Sequence, residues 1–294
     1  MENFKNEIYI ESFLRGYSGN KFKLMDQILP HFPKKCRVFV DMFTGSGAVN
    51  YNYTGAERYV CNELDPQVLG LHKRFHDATL REIIETLERV EESTLIDGEY
   101  NFRKLKDIYN ETRDPLILVL IARQSFGMLL SFNSKGECNV SENTTKRKSK
   151  KLTPDLLHDI NIIKKRVDSQ DRTYVNGSFV NLDLSFLQPG DFVYCDPPYF
   201  ETFANYNKDW GDSVYEILIE RMQYFIDNNI GFGYSDMMVQ NDMINGKLHA
   251  LVQKNKDKLK MYKIKSDYTS SINNKTRIDV SNSKRLEIYL TNYF

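Results

Sequence analysis

The chain has 294 residues, of which 41% are apolar and 27% charged, with 40 basic against 40 acidic side chains and no net charge. That length and apolar fraction give one large α/β domain with an insertion, or two small domains, around a packed core. The balanced charge neither advertises nor excludes a polyanionic partner, because local clusters decide that. No run approaches membrane-spanning length, and the four scattered cysteines, with no CxxC pair, exclude a zinc site of ordinary spacing.

The first segment, "MENFKNEIYIESFLRGYSG", lacks the apolar core of a signal peptide, and a reducing cytoplasm is the expected location. "GYSGNKFKLMDQIL" then places Lys21 in a glycine-containing turn ahead of a helix, where an ammonium can hold a small carboxylate. The β-branched and aromatic run "RVFVDM" from Arg37 reads as the first strand. Gly45 and Gly47 follow it directly, so the backbone can turn tightly and approach a ligand at the next helix's N-terminus. A dinucleotide fingerprint would place a third glycine where Asn50 stands. The second strand, "RYVCNE" from Arg58, ends in Glu63, with Asp65 two residues on; a carboxylate there can accept both hydroxyls of a ribose.

A long, mainly helical block comes next. Leu80, Ile83, Ile84, Leu87 and Val90 form one apolar stripe. Thr153-Pro154-Asp155 starts another helix, with Leu156, Leu157, Ile160, Ile163 and Val167 along one side. Five more strands follow: "RTYVN" from Arg172, "DFVYCD" from Asp191, "IGFGYS" from Ile230, "KMYKIK" from Lys260 and "RLEIYLT" from Arg285. A helix carrying Val214, Leu218, Ile219, Met222 and Phe225 separates two of them. Strands alternating with helices imply a mainly parallel, doubly wound sheet, and the helical block between strands two and three implies an inserted domain.

The fourth strand ends abruptly in "FVYCDPPYF". Proline cannot continue a strand and restricts the residue before it. The chain must therefore stop at Asp196, leaving a carboxylate, two stiff carbonyls and the Tyr199 ring on one edge. A ligand with a ribose, an adenine and an amino-acid carboxylate, but no pyrophosphate, suits these residues better than a nicotinamide dinucleotide. S-adenosylmethionine is such a ligand.

With these residues in view, the chain resembles the Dam-type (alpha-group) DNA adenine N6-methyltransferases over nearly its whole length. "YSGNK" is similar to the family's N-terminal cofactor motif, "DMFTGSGAV" to its glycine motif and "CNELDP" to its ribose motif. "DPPY" is similar to the catalytic motif and "KRLEIYLTNY" to the C-terminal strand. The resemblance implies a Rossmann-like methyltransferase sheet of seven strands, the last antiparallel. It divides the chain into a catalytic domain, 1–70 and 172–294, and an inserted target-recognition domain, 71–171. It also implies S-adenosylmethionine as cofactor, held by Tyr17, Lys21, Asp41, Phe43, Gly45, Gly47, Glu63, Ser178, Phe179 and Asp196, with Asp65 as the substitute for Glu63. Relatives often have aspartate where Ser178 stands.

The implied reaction is methyl transfer to the N6 amino group of an adenine flipped out of duplex DNA. Asp196 and the Pro197 carbonyl would each accept one amino hydrogen, Pro198 would stiffen the edge and Tyr199 would stack on the base. Cys195 is a bystander in such chemistry, and aspartate at the head of the motif favours adenine over cytosine. "QSFGMLLSFNSKGECNVSEN" is similar to the family's recognition hairpin. It implies DNA contacts from Phe126, Ser131, Asn133, Lys135 and Asn139, with Lys146, Arg147 and Lys148 gripping phosphate. Ser131 replaces an arginine whose fork reads guanine, and Gly127-Met128 replaces Asn-Gly, so a GATC target does not follow. Implied partners are double-stranded DNA and a cognate restriction endonuclease, with the chain a monomer or weak dimer and no membrane involved. The competing readings are an RNA methyltransferase acting on an exocyclic amine and a catalytically silent nucleic-acid-binding relative. Intact motifs argue against the latter.

Overall fold

The computed structural model describes residues 9–17, 19–146, 151–199, 211–240, 242–265 and 285–294. In chain order they form α1 (Met25–Ile28), β1 (Cys36–Asp41), α2 (Ala48–Asn52), β2 (Ala56–Glu63), α3 (Pro66–Asp77) and α4 (Leu80–Thr94). A small hairpin follows, β3 (Leu95–Ile96) and β4 (Glu99–Tyr100), then α5 (Phe102–Thr112), α6 (Ile117–Gln124), α7 (Pro154–Asp168), β5 (Asp171–Asn176) and β6 (Phe192–Cys195). The last elements are α8 (Asp212–Asp227), β7 (Gly231–Gln240), β8 (Met243–Ile244), α9 (Gly246–Lys254), β9 (Lys260–Lys263) and β10 (Arg285–Thr291). They fall into two compact units: residues 1–22, 44–54 and 61–177, and residues 23–43, 55–60 and 178–294.

In the first unit the helices pack around α6, whose sequence "ILVLIARQ" is apolar on nearly every face and buried accordingly. Ile83 and Leu87 of α4, Leu105 and Tyr109 of α5, and Ile160, Ile163 and Val167 of α7 share its core. The helix starts obey the signals in the chain. Thr79 caps α4 in a reciprocal box with Glu82, and the Thr153 hydroxyl accepts from the Leu156 N–H ahead of Pro154; such caps contribute about 1 kcal/mol each. The β3–β4 hairpin, not expected from the sequence, turns on Asp97 (φ 50) and Gly98 (φ 78), a left-handed pair that suits a two-residue turn. The helical block 71–171 lies wholly in this unit, together with the glycine turn at 44–47 and β5.

In the second unit the strands run β2-β1-β6-β7-β10-β9, with β8 folded back on β7. β1, β6 and β7 are parallel, whereas β10 runs antiparallel to both its neighbours. All seven expected strands are present and the last is antiparallel, as the resemblance implied. β8 is an addition, reached through Asp242 at φ 64. β1 and β6 end within a residue of each other, Asp41 being level with Tyr194, while β7 continues past Tyr234, the partner of Cys195, to Gln240. Open α/β sheets bind ligands at these carboxyl ends. None of the described helices is long and apolar enough to cross a membrane.

Candidate active site

In the first unit the expected cofactor residues gather at the turn Thr44–Gly47. Gly45 (φ 50) and Gly47 (φ 77) are both left-handed. A Cβ on Gly47 would lie 2.5 Å from Tyr51 Cε2 and 2.9 Å from His72 Cε1, so only glycine fits. Glu63, 7% exposed, takes the Gly45 N–H at 2.7 Å on one carboxylate oxygen and the Asp65 N–H at 2.9 Å on the other. Burial raises its pKa, and these N–H bonds offset only part of that. Each oxygen keeps a further lone pair, so the carboxylate can still accept the two hydroxyls of a diol. Asp65 caps α3 through one oxygen, Oδ1, which accepts from both the Gln67 and Val68 N–H groups. Glu63 thus faces the glycine turn, whereas Asp65 faces the start of α3.

Behind the turn stands His72 of α3, a residue that sequence reasoning missed. Its Nε2 is 2.9 Å from the Gly45 carbonyl and its Nδ1 2.6 Å from the Tyr51 hydroxyl. A carbonyl only accepts, which assigns the proton to Nε2 and makes Nδ1 the acceptor. Burial pushes the pKa down to about 4, so the ring is neutral. Asn50 is gripped by Arg172 through both its side-chain and main-chain oxygens, at 2.9 and 2.8 Å. That bond locks the start of α2 where a dinucleotide site would use a third glycine. Lys21, only 3% exposed, donates to the Gly19 carbonyl at 3.0 Å. Burial, then the charges of Glu63 and Asp65, raise the Tyr17 hydroxyl, which places Tyr17 in the field of the same carboxylates.

In the second unit β6 stops at Cys195, as the prolines require, and Asp196 begins the edge. The Tyr199 hydroxyl donates to Glu287 of β10, and burial followed by the charges of Asp196 and Glu287 raises its pKa. Pro197 is buried, and Asp196, Pro198 and Tyr199 are partly exposed. Asp41, 1% exposed at the end of β1, adds negative potential at Tyr194 and Cys195. The Cys195 thiol is fully buried and pushed upward by that burial, so it is no nucleophile. On β7, two residues past the partner of Cys195, Asp236 accepts from the Tyr215 hydroxyl at 2.9 Å and from Tyr234, with Asn245 donating to Tyr215 at 2.6 Å. Phe43 and Phe179 pack with ring centroids 5.1 Å apart. Arg221 fixes that segment by donating to the Val180 and Leu182 carbonyls. The Ser178 hydroxyl caps the same turn through the Val180 N–H.

The hairpin expected to read DNA lies in the first unit. Phe126 is 70% exposed, and Ser131, Asn133, Lys135 and Asn139 are exposed as well. Asn133 turns inward on the tip: its Oδ1 accepts from the Lys135 and Glu137 N–H groups, and its Nδ2 donates to the Glu137 carboxylate. Arg147 and Lys148 lie outside the described residues, as does the Lys146 side chain. No signal in the sequence pointed to Glu287, His72 or Asp236, since each acts on a partner distant in the chain or on an unremarkable residue.

The family model of D12 class N6 adenine-specific DNA methyltransferases matches residues 17–265. The chain belongs to this family. It is 28% identical over 297 residues to the Type II methyltransferase M.FokI of Planomicrobium okeanokoites, covering 98% of the chain and 44% of that protein. To the modification methylase StsI of Streptococcus sanguinis it is 29% identical over 237 residues, 78% of the chain and 36% of the relative. The DNA adenine methylase of Escherichia coli strain K12 is 26% identical over 204 residues, 67% of either chain. The chain thus spans less than half the length of the first two relatives. The family expected from the motifs is borne out.

Proposed function

We propose that this chain transfers a methyl group from S-adenosylmethionine to the N6 amino nitrogen of an adenine flipped out of duplex DNA. The observation that carries the reading is the edge Asp196-Pro197-Pro198-Tyr199, halted at the strand end with Tyr199 held by Glu287, in a member of the D12 class. Within each unit, the donor groups suit a part of the cofactor. In the first unit Glu63 suits its ribose, Lys21 its carboxylate, and Gly45, Gly47 and Tyr17 the turn around it. In the second, Phe43 and Phe179 suit an adenine face, and Ser178 and Asp41 lie one and two residues from them in sequence. When bound, S-adenosylmethionine supplies an electrophilic methyl group.

What the chain's own residues do follows from the chemistry of the amine. The lone pair of an adenine amino group is delocalised into the ring, which makes it a weak nucleophile. The Asp196 carboxylate and the Pro197 carbonyl each accept one amino hydrogen, favouring a pyramidal nitrogen with its lone pair free. The prolines hold both acceptors in place beforehand, so little reorganises as the new bond forms. Tyr199 stacks on the extruded base, a sequence-tolerant contact. Block 71–171 serves target recognition through Phe126, Ser131, Lys135 and Asn139. The chain acts on one strand at a time as a monomer or weak dimer in the cytoplasm, with an endonuclease of the same target as partner.

Labelled S-adenosylmethionine incubated with unmethylated DNA, followed by digestion to nucleosides, tests this directly. N6-methyladenine is expected with the wild type, and at least 1,000-fold less (about 4 kcal/mol) with Asp196→Ala at unchanged cofactor affinity. Label in structured RNA but not in DNA would overturn the substrate, and full activity of Asp196→Ala would remove its role.

A further inference from the structure

The recognition hairpin is a two-edged structure, and only one of its edges is satisfied by the hairpin itself. On the inner edge Asn133 donates to the Glu137 carbonyl and Asn139 to the Ser131 carbonyl, both at 3.0 Å. Backbone groups alternate direction along an extended arm, so Cys138 and Val140 present theirs to the opposite edge, as does the carbonyl of Gly136, whose N–H closes the turn on the Asn133 carbonyl at 2.9 Å. No strand lies there among the described residues. Helix α5 takes that place: Arg113, just past its C-terminus, donates to the Gly136 carbonyl at 2.6 Å. Asn110 Oδ1 accepts from the Cys138 N–H at 2.8 Å, and Lys106 Nζ donates to the Val140 carbonyl at 3.1 Å.

The spacing explains the match. Positions 106, 110 and 113 form one helical stripe, i, i+4 and i+7, about 10 Å long at 1.5 Å per residue. Residues 136 to 140 span about 13 Å at 3.3 Å per residue, and long side chains make up the difference. The helix donates, accepts and donates where the arm accepts, donates and accepts. Arg113 is itself left-handed at φ 57, which ends α5 so that its guanidinium reaches the tip. Gln67 of α3 closes the tip from the other side, where a Cβ on Gly136 would come within 2.7 Å of its Nε2.

We propose that the α5 stripe Lys106, Asn110 and Arg113 is a rail that sets the position of the recognition arm, and that these are positioning residues for target specificity. The inference rests on the reading that this hairpin recognises DNA. The rail fixes backbone atoms 136, 138 and 140, and therefore the direction in which the exposed Ser131 and Asn139 point. The bonds that Lys106, Asn110 and Arg113 make with this side of the arm do not involve the glycine turn or the Asp196 edge, so methyl-donor handling should be unaffected by their loss.

The experiment sequences the methylated positions in genomic DNA for the wild type and for Arg113→Ala, Arg113→Lys, Asn110→Leu and Ser131→Ala. The ratio of kcat/KM on the preferred site to that on single-base variants is then measured. Arg113→Ala and Asn110→Leu are expected to lower that ratio about tenfold, with S-adenosylmethionine affinity and Tm near wild type. Arg113→Lys, which keeps a donor, restores part of it. A folded Arg113→Ala protein with unaltered discrimination, beside a Ser131→Ala protein whose discrimination changes, would overturn the rail and leave the hairpin reading intact. No change in either variant, or no DNA methylation by the wild type, would overturn both. If Arg113→Ala does not fold, Asn110→Leu and Arg113→Lys decide the same question.

Discussion

Two short loops of the first unit, the glycine turn and the hairpin proposed to read DNA, are built from the same device in different surroundings. Each carries left-handed glycines, and each has its backbone groups held by side chains from elsewhere in the chain. The glycine turn is held by groups almost wholly removed from water: Glu63 at 7% exposure and His72 at 0%. The hairpin is held from the surface, where Arg113 and Glu137 are 42% and 41% exposed at the side chain and 3.7 Å apart. Polar contacts strengthen as the surroundings lose water, and unmaking a buried one leaves an unsolvated group behind. One loop is therefore fixed and intolerant, the other adjustable.

Matched alanine substitutions test that contrast most severely. Gly47 and Gly136 have nearly the same backbone, φ 77 and φ 71, so the conformational cost of a Cβ, about 1–2 kcal/mol, is common to both. The neighbours differ. At Gly47 the new carbon meets two packed rings, Tyr51 and His72, whereas at Gly136 it meets the end of the flexible Gln67 side chain. Gly47→Ala should lose roughly 3–5 kcal/mol in urea unfolding once ring displacement is added, together with measurable cofactor binding by calorimetry. Gly136→Ala should lose no more than about 2 kcal/mol and bind cofactor normally. Equal damage to cofactor binding from both would dissolve the distinction.

Acid is the next probe, because only the buried loop carries a strongly shifted group. His72 has its pKa lowered from 6.5 to about 4 in the folded chain. Between those values the unfolded chain binds the extra proton, so stability rises with pH across this window. The contribution is fully present above about pH 6.5 and is lost as pH falls toward 4, amounting to about 3 kcal/mol. Glu63, raised by burial, works with the opposite sign and loses stability as pH climbs past its folded value. Urea midpoints of wild type and His72→Gln at pH 7 and pH 4.5 separate the two groups. The slope between those pH values should flatten in the variant, and an unchanged slope would assign the acid lability to another residue.

What could be read in the sequence divides along the same line. The seven strands, the stop at Asp196 and the two glycines are properties of contiguous residues, since β-branching, proline and missing Cβ atoms act locally. β7 nevertheless runs to Gln240, beyond the reach of "IGFGYS", because its partner β10 extends the ladder. The groups that hold the site were illegible for the converse reason. Glu287 meets Tyr199 across 88 residues and Arg113 meets Gly136 across 23, in pairings fixed only by tertiary packing. His72 looks like any helical histidine until α3 brings it to Gly45. That Asp65 caps a helix while Glu63 faces the turn likewise shows only in the fold.

Asn133 offers the smallest and sharpest test, because motif and geometry assign it different work. By resemblance it contacts DNA; in the structure its Oδ1 accepts from the Lys135 and Glu137 N–H groups at 2.9 and 3.0 Å, and its amide donates to Glu137 at 2.7 Å. Asn133→Ala removes both acceptor bonds, while Asn133→Ser retains a shorter acceptor in the same kind of turn. The site is exposed, so global stability should move by less than about 0.5 kcal/mol in either variant. Local opening should not be so indifferent. Hydrogen exchange at the Lys135 and Glu137 amides should quicken by up to about tenfold in Asn133→Ala and by less in Asn133→Ser. If DNA binding weakens in that same order, Asn133 acts by shaping the tip that carries its neighbours. If binding is lost while the two amides exchange at wild-type rates, the residue meets DNA itself and the tip is held by its remaining bonds.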